Sequence, residues 1–408
     1  LKKIKLPLSG WLGAIIIGLG TANVCPSLFA LGIRLPDQDA FATSRGNAFA
    51  ATADDPAAVY YNPAGISQLQ GMNLSVGAYG IAYGDHYKGP TTSKNSQLEL
   101  AMVPQSFSTI SFSNYHLTFG MGVYSPYGLA MEWPYSSPWV KAGLANAGRI
   151  DYVRLNPVIA YQPIPTLSFA AGPMFDYAQA ELKSSYLLGP PTVVGPSQFR
   201  FRGRDVAAGF NGGILWHPLE QHSFGITYRS ATDMNFKGHA NSLQLGSAFA
   251  AANYHFPQTV VAGYSFRPNS KWNFEVNGDW SDWTTLRYLT LVSANPVYRS
   301  ISLPFNWSPS WMFDFGATRY LGDGWQVSAG YMYSLNTVPT ADFNPLVPDS
   351  DRHIFSIGVG KKYTHLSWNV AYQLAWGPSR NVNSPAPPVS GSYEFLSNAL
   401  SVNLGYHF

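Results

Sequence analysis

The chain has 408 residues, 12% of them charged and 15% aromatic, with a formal net charge of +3. Charged residues are about half as frequent as usual, too few to cover a soluble domain, and the body of the chain has no run of about 18 apolar residues to make a membrane-spanning helix. So small a net charge leaves no footprint for a nucleic-acid partner.

Residues 1–30 read as an export signal. Lys2, Lys3 and Lys5 form the positive end, Trp11 to Gly20 the apolar core, and Ser27-Leu28-Phe29-Ala30 the cleavage point, so the mature chain is expected to start near Leu31. The only cysteine, Cys25, follows Ala22-Asn23-Val24, a poor lipoprotein site. It is expected to leave with the signal, and the mature protein then has no disulfide.

Residues 31–70 show no alternation. Asp39 to Ala53 is rich in Ala, Ser and Gly, which suits short helix, and Asn62-Pro63-Ala64-Gly65 marks a tight turn. Asp54 and Asp55 are expected to cap that region rather than to bind metal. A compact segment here predicts a small plug, or hatch, and passive uptake.

From residue 71 to 408 the pattern is period two. In Ala399 to Phe408 every even position is apolar or aromatic and every odd one small or polar. Leu366 to Trp376 and Trp325 to Tyr333 repeat it, which means strands with one apolar face. Short connections fall at Ser113-Asn114, Gln162–Pro165, His217–Gln221, Arg267–Lys271, Leu321–Gly324 and Lys361–His365. Long ones fall near 85–101, 125–149, 182–199, 237–256, 285–308, 337–350 and 378–392. Six short turns and seven long loops separate fourteen strands, and an even count with alternating loop lengths is the plan of an outer-membrane barrel. The fold expected is all-β: a 14-stranded antiparallel transmembrane β-barrel, residues 71–408, around the plug, residues 31–70.

Several positions suggest roles. Gly120 and Gly122 in the third strand suggest a kink. Arg200, Arg202 and Arg204 alternate with Phe199, Phe201 and Gly203. Taking the apolar face as lipid-facing puts these arginines in the lumen and requires a bulge near Asp205–Val206. Arg154 has lumen parity too, and Asp176 could pair with either set. Together Arg154, Arg200, Arg202 and Arg204 would form a ladder for a carboxylate; the alternatives are ordinary wall charges, or lipopolysaccharide contacts if the parity is reversed. Leu187, Leu188 and Val193 in one loop, and Leu243, Leu245 and Phe249 in another, offer an apolar groove on the outer surface. Histidine spacing suggests no metal site, no Gly-x-Ser-x-Gly is present, and neither cofactor nor catalysis is expected.

Four stretches in order resemble the FadL/TodX (OmpP1) family of outer-membrane channels for long-chain fatty acids and other hydrophobic compounds. They are Asp54-Asp55-Pro56 to Gly65, Gly122 to Leu129 (with Tyr127 where Phe is usual), Asp279-Trp280-Ser281-Asp282-Trp283, and Pro348-Asp349-Ser350-Asp351-Arg352. The resemblance implies capture in a loop groove, a lumen pocket closed by the plug tail Leu31-Gly32-Ile33 (Ile33 at a usual Phe), and lateral exit at a kinked third strand beside the plug motif Asn62, Pro63, Ala64 and Gly65. The arginine ladder favours fatty acids as cargo; neutral aromatic or aliphatic hydrocarbons are the alternative. A barrel lipase or protease and a hydrophilic porin are the readings from other classes. Partners expected are the hydrophobic ligand, outer-membrane lipid and lipopolysaccharide, with the chain acting as a monomer.

Overall fold

The computed structural model describes residues 32–184, 199–242, 246–294, 301–384 and 387–408. The expected export signal, the tail residue Leu31 and the loop candidates Leu187, Leu188, Val193, Leu243 and Leu245 lie outside the described residues.

The wall has fourteen strands. They are β1 (Met72–Lys88), β2 (Glu99–Phe112), β3 (Leu117–Tyr124), β4 (Ala147–Ile164), β5 (Leu167–Ser184) and β6 (Phe199–Leu219). Then come β7 (His222–Arg229, resumed at Thr232–Ser242), β8 (Gly246–Phe256, resumed at Thr259–Asn269), β9 (Trp272–Ser281, resumed at Tyr288–Ser293) and β10 (Ile301–Pro304, resumed at Ser310–Gly322). The last four are β11 (Trp325–Ser334), β12 (Arg352–Lys362), β13 (Leu366–Trp376) and β14 (Gly391–His407). Each pairs antiparallel with its sequence neighbours, and β14 pairs with β1 from Asn73↔His407 to Lys88↔Ser392. Through that closure neither the first nor the last strand presents an edge to lipid, which has no hydrogen bonds to offer one.

The two faces follow the alternation. On β14, Leu400, Val402, Leu404 and Tyr406 are exposed, while Ser401 and Asn403 are buried inside. The short connections are tight turns. Asp323 and Gly324 both have positive φ (48° and 75°), the conformation a two-residue hairpin loop needs. The expected long loop at 237–256 is instead a hairpin extension: β7 runs to Ser242 and β8 starts at Gly246, in continuous register from Thr232↔Phe256 to Ser242↔Gly246.

One place in the wall is incomplete. β2 pairs with β1 over Glu99–Ile110, but with β3 only over Ser106–Phe112. Residues 99–105 of β2 thus have no neighbour on the β3 side. Pro104 lies in this unpaired stretch; proline has no N–H to donate, so it belongs at a strand edge. β3 itself stops at Tyr124, before Ser125-Pro126. The chain turns inward there and rejoins β4 only at Leu129–Glu132.

The kink is therefore at 125–128 and not at Gly120 and Gly122. Both glycines lie in regular ladder, paired with β2 and β4. Their role is clearance inside the barrel: a Cβ on Gly120 would lie 2.8 Å from Val59 and 3.0 Å from Ile66.

Helical elements precede the barrel and lie within it. They are α1 (Ala40–Ser44), α2 (Ala58–Tyr61) and a 3-10 turn (Pro63–Gln68). Asp39 caps α1, its Oδ1 accepting from the amides of Phe41 (2.7 Å) and Ala42 (3.1 Å). Asp55 caps the next turn through the Ala57 amide at 2.8 Å, and Asp54 pairs with Arg267 at 2.7 Å. Glu275 of β9 accepts from the Ala51 and Thr52 amides, both at 2.8 Å.

Asn62 and Pro63 face β6 and β7, and it is Ile66, later in the same turn, that reaches the third strand at Gly120. Asn62 Nδ2 donates to Ala50 O (2.8 Å) and to Ile214 O on β6 (3.0 Å). A Cβ at Gly213 would sit 2.2 Å from Asn62 Oδ1, so only glycine admits this approach. Ala64 and Gly65 follow in the 3-10 turn, where Gly65 lies against Ala53.

Candidate ligand cavity and the segment that closes it

The inward turn of the chain after β3 is held by the N-terminal tail. Leu35 N donates to Pro126 O (2.8 Å) and Gly128 N to Ile33 O (2.9 Å), so Arg34 and Tyr127 form an antiparallel bridge. Gln38 reinforces it: its Nε2 donates to Leu35 O and to Ser125 O, both at 2.9 Å. The tail thus supplies the pairing that the third strand has lost to β2.

A buried ion pair fixes this tail to the opposite wall. Arg34 donates to both oxygens of Asp279, at 2.6 and 2.7 Å, and to Ser281 Oγ at 3.0 Å. The stretch Asp279 to Trp283 explains itself here. Alternation on β9 turns Asp279 and Ser281 inward to Arg34, and Trp283 closes over Gly32 beside Trp307, their ring centroids 4.9 Å apart. Gly32 has φ 72°, and a Cβ there would lie 2.5 Å from the Trp307 ring, so the tail can pass only as glycine.

On the loop side of this tail lies an apolar cavity. Leu129, Ile150, Phe201, Phe236, Leu291 and Leu346 are among its walls, drawn from the turned chain, β4, β6, β7, β9 and the 335–351 loop. Ile33 and Tyr127 belong to the same packed apolar cluster. Among the described residues its lining includes four with polar side chains, Arg149, Glu181, Tyr254 and Asn344. Arg149 is held by Asp151 at 3.0 Å.

The carboxylate ladder is not assembled. Phe199 and Phe201 face inward, and Arg200, Arg202 and Arg204 face outward. β6 keeps one register with β5 from Leu167↔Trp216 to Ser184↔Phe199, so the bulge expected near Asp205 is absent. The strand does not change faces; its surroundings change. Above the lipid the outer surface meets polar groups, while the lumen becomes apolar. Arg154 does face inward, but it is buried and committed to Asp176, at 2.6 and 2.8 Å, with Tyr152 Oη at 3.1 Å. Phe249 is half exposed on the outer face of β8, edge-on to His239 across the hairpin, and lines no groove in the described residues.

The cavity is roofed partly by the 335–351 loop. Asp351 Oδ1 accepts from Asn336 N (2.8 Å) and Asp349 Oδ2 from Thr337 N (2.9 Å), which is the work of the Pro348 to Arg352 stretch. Burial pushes the Asp349 carboxyl up to about 6, against Arg352 and the Thr337 amide. A buried acid with a raised pKa binds its proton more tightly in the docked loop than in a detached one. Docking is then strongest below the ordinary carboxyl pKa and weakens as pH rises through the raised one. Proteolysis of this loop is expected to quicken between about pH 4 and pH 6.5 in the wild type relative to Asp349→Asn, which lacks this ionisation; equal profiles would remove Asp349 as the cause.

Arg34, Gln38 and Glu275 escaped sequence reasoning, because their partners are set by closure of the barrel. Only the parity of Asp279 and Ser281, two polar residues on one face of a strand, signalled an inward site.

Residues 22–408 match the family model described as outer membrane protein transport protein (OMPP1/FadL/TodX). A putative outer membrane protein of Neisseria meningitidis is 25% identical, covering 96% of this chain and 97% of that protein. The long-chain fatty acid transport protein of Escherichia coli is 22% identical over 88% and 89%. Among solved structures, a Pseudomonas aeruginosa FadL homologue superposes with a TM-score of 0.80 at 18% identity, covering 92% of this chain and all of that one. The Ralstonia pickettii toluene transporter TbuX gives 0.71 at 16%, covering 91% and 98%. A closed barrel of fourteen strands, an inward-turned third strand and a family match over nearly the whole length agree: the chain belongs to the OMPP1/FadL/TodX family of outer-membrane proteins, channels rather than enzymes, through which hydrophobic small molecules pass passively.

Proposed function

We propose that the cargo is a neutral hydrocarbon, aromatic or aliphatic, rather than a long-chain fatty acid. The observation that carries this reading is the charge state of the cavity. Arg154 is neutralised by Asp176, Arg34 by Asp279, and the arginines of β6 point outward. A carboxylate entering the apolar cavity would lose its hydration, and the one cation among the described residues that line it, Arg149, is already held by Asp151. A hydrocarbon loses nothing and gains roughly 25 cal/mol for each Å² removed from water. Two transporters of similar fold, TbuX and TodX, are named for toluene; the Escherichia coli relative is named for fatty acids.

In this reading residues 31–70 are the plug, and its tail closes the cavity until cargo displaces it. Cargo leaves sideways between residues 99–105 of β2 and the inward turn at 125–128. Leu100 and Met102, 68% and 61% exposed beside that gap, face lipid and would receive an apolar solute. The barrel closes within one chain, so a monomer suffices. The deciding measurement is uptake of labelled toluene and labelled oleate by cells lacking their own channel. Toluene entry with oleate at background is expected; oleate entry alone would return the protein to fatty acids.

A further inference from the structure

We propose that Arg202, Arg204 and Lys237 form an outward-facing site for the phosphate groups of the glycolipid of the outer leaflet, the lipid A part of lipopolysaccharide.

The first argument is height. On the outer face of β6, Val206, Phe210, Ile214 and Trp216 are all exposed apolar side chains. From Trp216 to Val206 is roughly 33 Å along a strand, or roughly 25 Å along the membrane normal at the usual tilt, which is the height of the apolar band of such barrels. Arg204 is the next outward residue, so it stands at the level of the lipid headgroups. The short turns and both ends of the barrel domain lie at the other rim, which makes this the outer leaflet.

The second argument is that these cations are uncommitted. Lys237 lies directly across from Arg204 in the register of β7 and β6, and all three side chains are exposed. The neighbouring cations have acids: Arg200 binds Glu181 at 2.8 Å, Lys183 approaches Glu181 at 3.5 Å and Glu132 at 3.8 Å. Asp151, whose field reaches Arg202, is held by Arg149. Asp205 accepts the Asn235 amide at 2.7 Å, and Asp233 holds His255 at 2.6 Å. Among the described residues, the side chains of Arg202, Arg204 and Lys237 take part in no hydrogen bond and no ion pair.

The third argument is the shape of the partner. Val206, 70% exposed, and Phe210, 59% exposed, lie just below the cations. Cation above and apolar wall below match an amphiphile with an anionic head and acyl chains. Guanidinium groups bind phosphate through paired donors, and successive outward positions stand roughly 7 Å apart. A row of this kind serves a head bearing more than one phosphate better than a single phosphodiester. The site is independent of the cargo and of the lumen.

The test uses the full chain in nanodiscs of zwitterionic lipid. Binding is measured by native mass spectrometry for bisphosphorylated lipid A, for its dephosphorylated form and for phosphatidylglycerol. Wild type is expected to hold bisphosphorylated lipid A at least about tenfold more tightly than either other lipid, since the contacts are charge-assisted. The triple variant Arg202→Gln/Arg204→Gln/Lys237→Gln is expected to lose that preference while cargo uptake stays normal. Arg204→Gln alone should give an intermediate loss, and Lys361→Gln, at the opposite rim, none. The proposal is overturned if the triple variant holds lipid A like wild type. It is also overturned if phosphatidylglycerol binds as tightly as lipid A and is lost in the same variant, which would make the site one for any anionic lipid.

Discussion

Asp279→Ala is expected to release the N-terminal tail from the lumen while leaving the barrel closed. Arg34 and Asp279 have side chains only 4% exposed, and the guanidinium spends two donors on the one carboxylate. Removing the carboxylate leaves a buried charge without a partner, a loss of about 3–5 kcal/mol. The tail's other anchors are two backbone bonds to the inward turn, the contacts of Gln38 and Asp37, and the burial of Ile33 and Leu35. Hydrogen exchange at the amides of Leu35 and Gly128 should quicken by roughly a hundredfold or more, the ratio that such an energy implies. Amides of the β1–β14 seam should not change. Arg34→Ala should match it, and the double variant should cost little more than either alone, since both remove the same pair. Unchanged exchange at Leu35 in Asp279→Ala would mean that the tail is held by packing against Trp283 and Trp307 instead.

Phe201→Arg is expected to lower hydrocarbon uptake at least about tenfold, and Arg202→Gln, the next residue, to leave it unchanged. Phe201 lines the cavity and Arg202 faces outward. A guanidinium at 201 would enter an apolar site with no acid assigned to it, and either fills the space or draws water in. Both penalise an apolar solute. Equal effects of the two substitutions would show that the faces of β6 are not as described, and a normal Phe201→Arg channel would move the route elsewhere in the lumen.

The wall of this protein was legible because lipid imposes a rule on every second residue. Leu400, Val402, Leu404 and Tyr406 read outward from the alternation alone, and the strand count follows from turns such as Asp323-Gly324. The rule ends where the lipid ends. At Arg200 to Arg204 the outer face turns polar and the lumen apolar, so parity judged by hydrophobicity inverts although the strand does not. The kink was misread for a related reason. Gly120 serves the close approach of Val59 and Ile66 and Gly122 that of the Phe107 and Tyr124 rings, whereas the inward turn at Ser125-Pro126 depends on a partner from the tail.

Sequence alone therefore determined the architecture: fourteen alternating strands, a non-alternating N-terminal segment, and the family the motifs resemble. It also placed Arg154 on an inward face and marked Asp279 as part of a family-like motif. Only the tertiary structure decided what those residues do. Arg34 meets Asp279 across 245 positions, and Arg154 is quenched by Asp176 on the adjoining strand. Local alternation is set by each residue's own solvent, lipid or lumen. The charge of the cavity is set by which buried groups the closed barrel brings together, and no spacing along the chain encodes that.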